Sequence, residues 1–386
     1  MDIMEFFIGI VIGMLTGIIP GLHPNTIATA LSQFPLSNDT KASLLVGMMP
    51  SNIIASFIPA IFFGIPERGT LTCALAGQRL ALDGRGLTAL RVVLLSALIA
   101  SFVAFLILIP SMEIFPILYS AIANYIGYIV AFLAVILIIK SKNPLSALLV
   151  FLAAGTLGYF SLNSRMYDPY MPLFSGMFAI SALLNITKSV MPRQRQEEPI
   201  GWEILPYSIL GVFLGMVADL LPGISSPGQI AFFTTIVIPL SSLTYLATTS
   251  AIGISESIFS FSTAATLEKA RIGTTAHLSR FIDIGENILS LASLFVFSAV
   301  LTITIAYLLR KRVAEVADLN SKPIAFILIV YLFVLCFILD GVAGVIVLSL
   351  ASALGWLTAR LNVERIQMMG AIVLPTILLL FRIFPP

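Results

Sequence analysis

The chain has 386 residues, of which 59% are hydrophobic and only 10% are charged. A soluble domain carries about 25% charged residues, so this composition cannot cover a surface that faces water. The net charge of +2 comes from 21 basic and 19 acidic residues, and it offers no basic surface for nucleic acid, which we exclude as a partner. The composition indicates an integral membrane protein.

Long apolar segments recur from the beginning of the chain to its end. Runs such as 92–110, 115–139, 282–309, 324–339 and 368–384 approach the roughly 20 residues that a helix needs to cross a bilayer core. About ten to twelve transmembrane or re-entrant helices fit the chain. The sequence therefore predicts an all-α, multi-pass protein of the cell membrane.

A polar segment near the middle divides the chain. Residues 188–203, KSVMPRQRQEEPIGWE, interrupt the apolar pattern and predict a cytoplasmic linker. The linker separates a first membrane repeat, residues 1–187, from a second, residues 204–386.

The two halves share a motif. GIVIGMLTGIIPG at 9–21 matches GVFLGMVADLLPG at 211–223, and further on Asn52 corresponds to Glu256. The glycines at every fourth position favour close helix packing over ligand contact. We interpret the match as an internal duplication.

The charges of matched loops predict that the repeats are inverted. Basic residues favour the cytoplasmic side, and the basic loop 310–322 occupies the place that the uncharged-to-acidic turn 111–113 occupies in the first half. Matched loops then face opposite sides of the membrane, which requires discontinuous, re-entrant helices to give each half an odd number of crossings. A parallel duplication, with 310–312 outside, is the alternative.

Each copy of the motif ends in Pro-Gly within an apolar stretch, at Pro20-Gly21 and Pro222-Gly223. Such breaks are tolerated in a membrane only where the backbone is buried in protein or lines a wet cavity. Paired breaks in two repeats point to half-helices whose N-terminal amides face an anion, and ordinary proline kinks are the alternative. The predicted substrate-binding residues are Pro20, Gly21, His23, Asn25, Thr26, Asn52, Arg79, Pro222, Gly223, Ser225, Ser226 and Gln229.

Arg79 and the two coupling residues lie outside the Pro-Gly segments. Arg79 belongs to a polar segment, 64–87, that could re-enter the protein or form an ordinary cytoplasmic loop. Ionisable residues at membrane depth are functional by default, and Glu256 and Asp219 are the candidates for binding a coupling cation or proton. Asp219 could instead cap the following half-helix. Asp340, followed by glycine, is typical of a turn between spans.

Enzymatic chemistry finds no support in the sequence. The two cysteines, Cys73 and Cys336, and the two histidines, His23 and His277, lack metal-ligand or redox spacing. We therefore predict no metal, no cofactor and no catalytic residues, and a membrane enzyme acting on lipid is disfavoured.

The motif at 9–21, together with Gly64-Ile-Pro66 and with Leu82-Asp-Gly84 leading into Ala89, resembles the large permease subunit of tripartite tricarboxylate transporters. The resemblance implies a carboxylate substrate, ion-driven uptake, a small membrane subunit and an extracytoplasmic binding protein. The second copy of the motif also resembles polyprenyl-phosphate translocases, which would make a lipid phosphate the anion. Both functions need amides and hydroxyls around an anion, so the motif leaves the choice open.

Overall fold

The computed structural model describes residues 2–65, 70, 73–184, 192–194, 197–223, 226–270, 272–317 and 321–383. These residues form helices and connecting turns, with no strand among them. In the first half the helices are α1 (Ile3–Ile18), α2 (Pro24–Gln33), α3 (Asn38–Ala55), α4 (Phe57–Phe62), α5 (Cys73–Leu82), α6 (Gly86–Leu106), α7 (Leu108–Ile122), α8 (Ile126–Ile139), α9 (Pro144–Leu162), α10 (Tyr170–Phe174) and α11 (Ser181–Leu184).

The second half repeats this order of helices with a smaller number of separate helices. Its helices are α12 (Ile204–Ala218), α13 (Pro227–Val237), α14 (Ser242–Leu267), α15 (Gly273–Leu278), α16 (Ile284–Ala317), α17 (Ser321–Arg360) and α18 (Gly370–Leu380). A π-helical segment, Ser175–Ile180, joins α10 to α11, and 3-10 turns cover Ala123–Tyr125 and Arg365–Met369.

Six helical segments in the described part of the chain are long and apolar enough to cross a membrane, and five shorter apolar helices accompany them. The long segments are Asn38–Phe62, Gly86–Leu106, Leu108–Ile139, Pro144–Leu162, Ile284–Val316 and Ala325–Arg360. The expectation of an all-α, multi-pass membrane protein is confirmed.

Helix α17 reverses its direction at Gly341, where φ is 63° and ψ is −151°. A Cβ built on Gly344 would lie 3.4 Å from the carbonyl oxygen of Cys336. Eight residues of straight helix would separate these groups by about 12 Å, so the two arms of α17 form a hairpin. The turn predicted at Asp340-Gly341 is confirmed.

Glycine contacts align the two halves residue by residue. A Cβ on Gly13 of α1 would meet the Met48 carbonyl of α3 at 2.4 Å, and one on Gly215 of α12 would meet the Ile252 carbonyl of α14 at 3.0 Å. The glycines thus serve close packing of α1 on α3 and of α12 on α14, as the sequence predicts. The same register places Asn52 of α3 opposite Glu256 of α14 in the repeat.

The halves exchange helices instead of standing side by side. Helix α16 packs on α3, and the matched α6 packs on α14. Ser298 of α16 donates a hydrogen bond to the Gly47 carbonyl at 2.7 Å, while Ser250 of α14 donates one to the Val93 carbonyl of α6 at 2.9 Å. The largest apolar core is accordingly built from both halves.

The same exchange recurs in the last helices of each half. Gly158 of α9 lies against Ala371 of α18, where an added Cβ would be 1.9 Å from the carbonyl oxygen. Gly355 of α17 lies against Met177 of the π-helical segment, with a corresponding distance of 2.4 Å. The two halves are therefore interlocked by reciprocal contacts, as expected for an approximate two-fold axis.

Helices α6 and α16 run in opposite directions although they are matched in the repeat. Glu197 of the central polar segment pairs with Arg91, in the first turns of α6, at 3.5 Å and with Arg310, near the end of α16, at 3.0 Å. Gln194 and Lys311 line one surface pocket at this end of the protein. One end of the molecule thus holds the start of α6 and the end of α16, which supports inverted over parallel repeats. Residues 185–191 and 195–196 lie outside the described chain, so the boundary at 187 stays a prediction.

Candidate functional site

The first Pro-Gly break separates α1 from α2. Helix α1 ends at Ile18, and Gly21 turns the chain with φ of 89°, a conformation that favours glycine. His23 then caps α2, because its Nδ1 accepts a hydrogen bond from the Asn25 backbone N–H at 3.2 Å. Pro24 occupies the first helical position, where a missing N–H costs nothing.

The second break repeats this geometry between α12 and α13. Gly223 has φ of 81°, Ser226 is the capping residue and Pro227 opens α13. Ser225, which the sequence places in the site, lies outside the described residues. Each break therefore ends in a new half-helix that begins Xaa-Pro, with His23 and Ser226 in equivalent positions.

Both half-helices begin at one cavity of about 130 Å³, which we call the central cavity. Its walls come from the starts of α2 and α13, the middles of α3 and α14, and the segment that enters α15. The lining residues are His23, Pro24, Asn25, Met49, Asn52, Ile53, Ser56, Phe57, Thr70, Ser226, Pro227, Thr249, Gly253, Glu256, Ser257, Ile272, Gly273 and Thr274.

The side chain of Asn25 is held in place at the wall of this cavity. A Cβ on Gly273 would fall 2.6 Å from the Asn25 Nδ2, so a larger residue at 273 would displace the amide from its present position. The buried Asn25 Oδ1 accepts no hydrogen bond from the residues that the structure describes. An unpaired buried amide oxygen is costly, and a polar ligand in the cavity would supply its partner.

Asn52 and Glu256 bring the matched long helices to the same cavity. Each side chain is 5% exposed, and Asn52 donates from Nδ2 to the Thr16 hydroxyl of α1 at 3.2 Å. Matched positions of the two halves thus line one cavity, and among its described lining residues only the α14 side contributes a carboxyl group.

Asp168 is a buried carboxylate that sequence reasoning missed. Its side chain accepts hydrogen bonds from the Thr26 hydroxyl of α2 and from the backbone N–H groups of Tyr170 and Met171. Its own N–H donates to Asp340 Oδ1 at 2.8 Å. The Asp-Pro pair before α10 is a helix-start signal, but nothing in the sequence indicates that this loop reaches α2.

Asp168 also lines a smaller side cavity of about 60 Å³ beside the first break. The other residues lining this side cavity are Pro20, Gly21, His23, Asn25, Tyr170, Met171, Phe174, Ser175 and Ala179. The side cavity and the central cavity share His23 and Asn25, so the first half-helix begins between them.

The remaining predicted residues lie elsewhere. Asp219 is fully buried and accepts a hydrogen bond from the Thr263 hydroxyl at 2.5 Å. Gln229 is 1% exposed and occupies the position in the second repeat that Thr26 occupies in the first. Gly223, next to Pro222, packs against Thr376 of α18. Arg79 is exposed on α5, and neither it nor Asp219 is among the residues that line the two cavities.

Comparison with known proteins identifies the family of this chain. The chain is 24% identical over 403 residues to an uncharacterized protein of Methanocaldococcus jannaschii, covering 99% of this chain and 100% of that protein. No solved structure matches the chain. Residues 3–370 match the tripartite tricarboxylate transporter TctA family, a match that includes both Pro-Gly breaks and the central cavity. The chain belongs to the tripartite tricarboxylate transporter TctA family and is a membrane transporter permease.

Proposed function

We propose that the protein carries a carboxylate anion across the membrane and binds it in the central cavity, between the starts of α2 and α13. The observation that carries this proposal is that His23 and Ser226, the equivalent capping residues of the two half-helices, line the same cavity. Alternating access would then come from movement of the interlocked repeats around this site.

The physical basis is electrostatic. Each half-helix presents the equivalent of about half a positive charge at its N-terminus. No lysine or arginine of the described chain lines the central cavity. Two converging helix starts, with the Asn25 amide and the Ser226 hydroxyl, would hold a carboxylate without the cost of inserting a cationic side chain at membrane depth.

Glu256 would couple the anion to a cation or proton. Among the described residues that line the central cavity, Glu256 is the one with a carboxyl group, and it lies in the middle of α14. A proton or cation bound there would offset the charge of the substrate. A small membrane subunit and an extracytoplasmic binding protein are the partners that the tripartite family implies.

Citrate binding to the purified full-length chain in nanodiscs, measured by calorimetry, tests the site. Asn25→Ala and Ser226→Ala should each weaken binding about tenfold to a hundredfold, because a hydrogen bond to a charged group contributes roughly 1.5–3 kcal/mol. Matched controls on the same half-helices are Ser32→Ala and Thr235→Ala, whose hydroxyls donate to backbone carbonyls within their own helices. These controls should bind citrate like the wild type.

Two outcomes count against the proposal. Equal citrate binding by all four variants would remove the site from the central cavity. Binding of a polyprenyl phosphate, with no binding of citrate or succinate, would favour the lipid-translocase function instead.

A further inference from the structure

Away from both cavities, two turns meet at one end of the bundle formed by α8, α9, α17 and α18. Glu364, after α17, accepts hydrogen bonds from the Ser141 hydroxyl and, at 3.4 Å, from the Lys142 backbone N–H. Gln367 donates from Nε2 to the Leu137 carbonyl at 2.7 Å. The α8–α9 turn and the turn after α17 therefore form one continuous surface.

This surface is strongly basic. Lys140, Lys142 and Arg360 are exposed and Arg365 is partly buried; we call these four residues the basic patch. In the sequence windows 137–146 and 356–370 they are opposed by a single acidic residue, Glu364. Four basic residues stand against this one carboxylate, so the patch keeps most of its positive charge.

Arg365 is the member whose environment points to a ligand. It lies in the 3-10 turn that packs against α9, and its guanidinium group makes no hydrogen bond or ion pair with any residue in the described part of the chain. A partly buried guanidinium with no partner among the described residues keeps its donors available to a ligand. Its planar fork of donors matches the oxygens of a phosphate, which it can bind through two hydrogen bonds.

The surroundings of the patch are those of a membrane interface. Ile139, Leu145 and Trp356 are exposed apolar side chains beside it, and the Arg360 guanidinium lies 5.0 Å from the centre of the Trp356 ring. Tryptophan is enriched at the headgroup level of bilayers, and basic residues collect on the cytoplasmic side. Basic pockets between helices at this level suit anionic headgroups.

We propose that the basic patch binds the headgroup phosphate of an anionic phospholipid, with Arg365 as its main contact. This site is separate from the central cavity and stands whether or not the proposed carboxylate transport is correct. The bound lipid would hold the start of α9 and the end of α17 in the cytoplasmic leaflet.

Native mass spectrometry of the full-length chain in detergent tests the proposal. Titration with phosphatidylglycerol, with phosphatidylcholine as the neutral probe, should show at least about tenfold tighter binding of the anionic lipid. Arg365→Gln should remove most of this preference. Lys142→Gln, at an exposed position where folding is not at risk, should reduce it about fivefold. Arg312→Gln is the matched control, because Arg312 is an exposed arginine at the end of α16, and it should change nothing.

The outcomes separate the alternatives. Equal binding of the two lipids by the wild type would overturn the proposal, as would an undiminished preference in both Arg365→Gln and Lys142→Gln. Inorganic phosphate that binds as tightly as phosphatidylglycerol would make the site one for free phosphate, and the lipid assignment would be wrong.

Discussion

Asn52 and Glu256 occupy equivalent positions on matched helices, and their side chains face the same cavity from opposite halves of the protein. Gly13 and Gly215 fix this equivalence, since they hold α1 and α12 against the turns that precede the two residues. Duplication alone would have produced identical side chains. A neutral amide on one side and a carboxyl group on the other make the two matched walls of the cavity electrostatically different.

Glu256→Gln should abolish uptake driven by an ion or proton gradient while leaving citrate binding in place. The substitution keeps the shape of the side chain and removes the group that would carry the proton or cation. Gradient-driven uptake and gradient-free exchange of labelled citrate, both in proteoliposomes with the partner subunits, separate coupling from binding.

Glu286→Gln is the control for this experiment, because Glu286 is an exposed carboxylate at the start of α16. It should behave like the wild type. If Glu256→Gln transports with unchanged pH and ion dependence, the coupling role is wrong.

Inverted repeats predict which loops share a side of the membrane. In a background without native cysteines, single cysteines at Lys142, Gln194 and Lys311 should react with impermeant reagents from the cytoplasmic side, and one at Asn163 from the opposite side. Gln194 and Lys311 already line one pocket in the structure. Labelling of these two from opposite sides would contradict the inverted arrangement.

Glu197 ties together the ends of α6 and α16, so its loss should lower the stability of the whole protein. Glu197→Gln should lower the free energy of unfolding by roughly 1–3 kcal/mol, because it weakens the charge-assisted hydrogen bonds from Arg310 and removes the ion pair with Arg91, and both arginines are partly buried. Thermal unfolding in detergent provides the measurement.

Glu315→Gln is the matched control, since its pair with Arg312 is 64–80% exposed and exposed pairs contribute little. Equal transition temperatures for Glu197→Gln and Glu315→Gln would show that the ion pairs of Glu197 with Arg91 and Arg310 do not stabilise the protein.

The breaks, the duplication and the Asp340-Gly341 turn could be predicted because proline and glycine act on the local backbone. The Asn52–Glu256 correspondence could also be predicted, because it follows from aligning the copies. The exchange of α6 and α16 could not, since any apolar helix face fits many partners. Asp168 was missed for a related reason: its role depends on a contact with Thr26, 142 residues away. Arg79, which its charge suggested as a site residue, is exposed on α5 and lines neither cavity, so its role in binding stays a prediction.

Gly158→Ala should destabilise the protein strongly, because the new Cβ would lie 1.9 Å from the Ala371 carbonyl oxygen. Backbone cannot move aside as a side chain can, so α9 and α18 would have to separate, at a cost of about 1–3 kcal/mol or more. Thermal unfolding of Gly127→Ala serves as the control, since its Cβ would make only an ordinary contact at 3.4 Å. Equal stability of the two variants would mean that the two helices are not packed this closely.

Gly21→Ala and Gly223→Ala should weaken citrate binding more than the loss of any single hydroxyl or amide. Both glycines have positive φ, 89° and 81°, which costs an alanine roughly 1 kcal/mol or more.

Both positions are also crowded: the Cβ would meet Leu332 at 2.2 Å from Gly21, and Thr376 at 2.8 Å from Gly223. Relief of these contacts would shift the start of α2 or α13, and with it the positive end of the helix dipole at the cavity. Gly201→Ala is the control, because its nearest neighbour would be 3.6 Å away. The measurement is citrate affinity in nanodiscs beside the unfolding temperature. Variants that fold less stably yet bind citrate with wild-type affinity would show that the half-helix starts do not hold the anion.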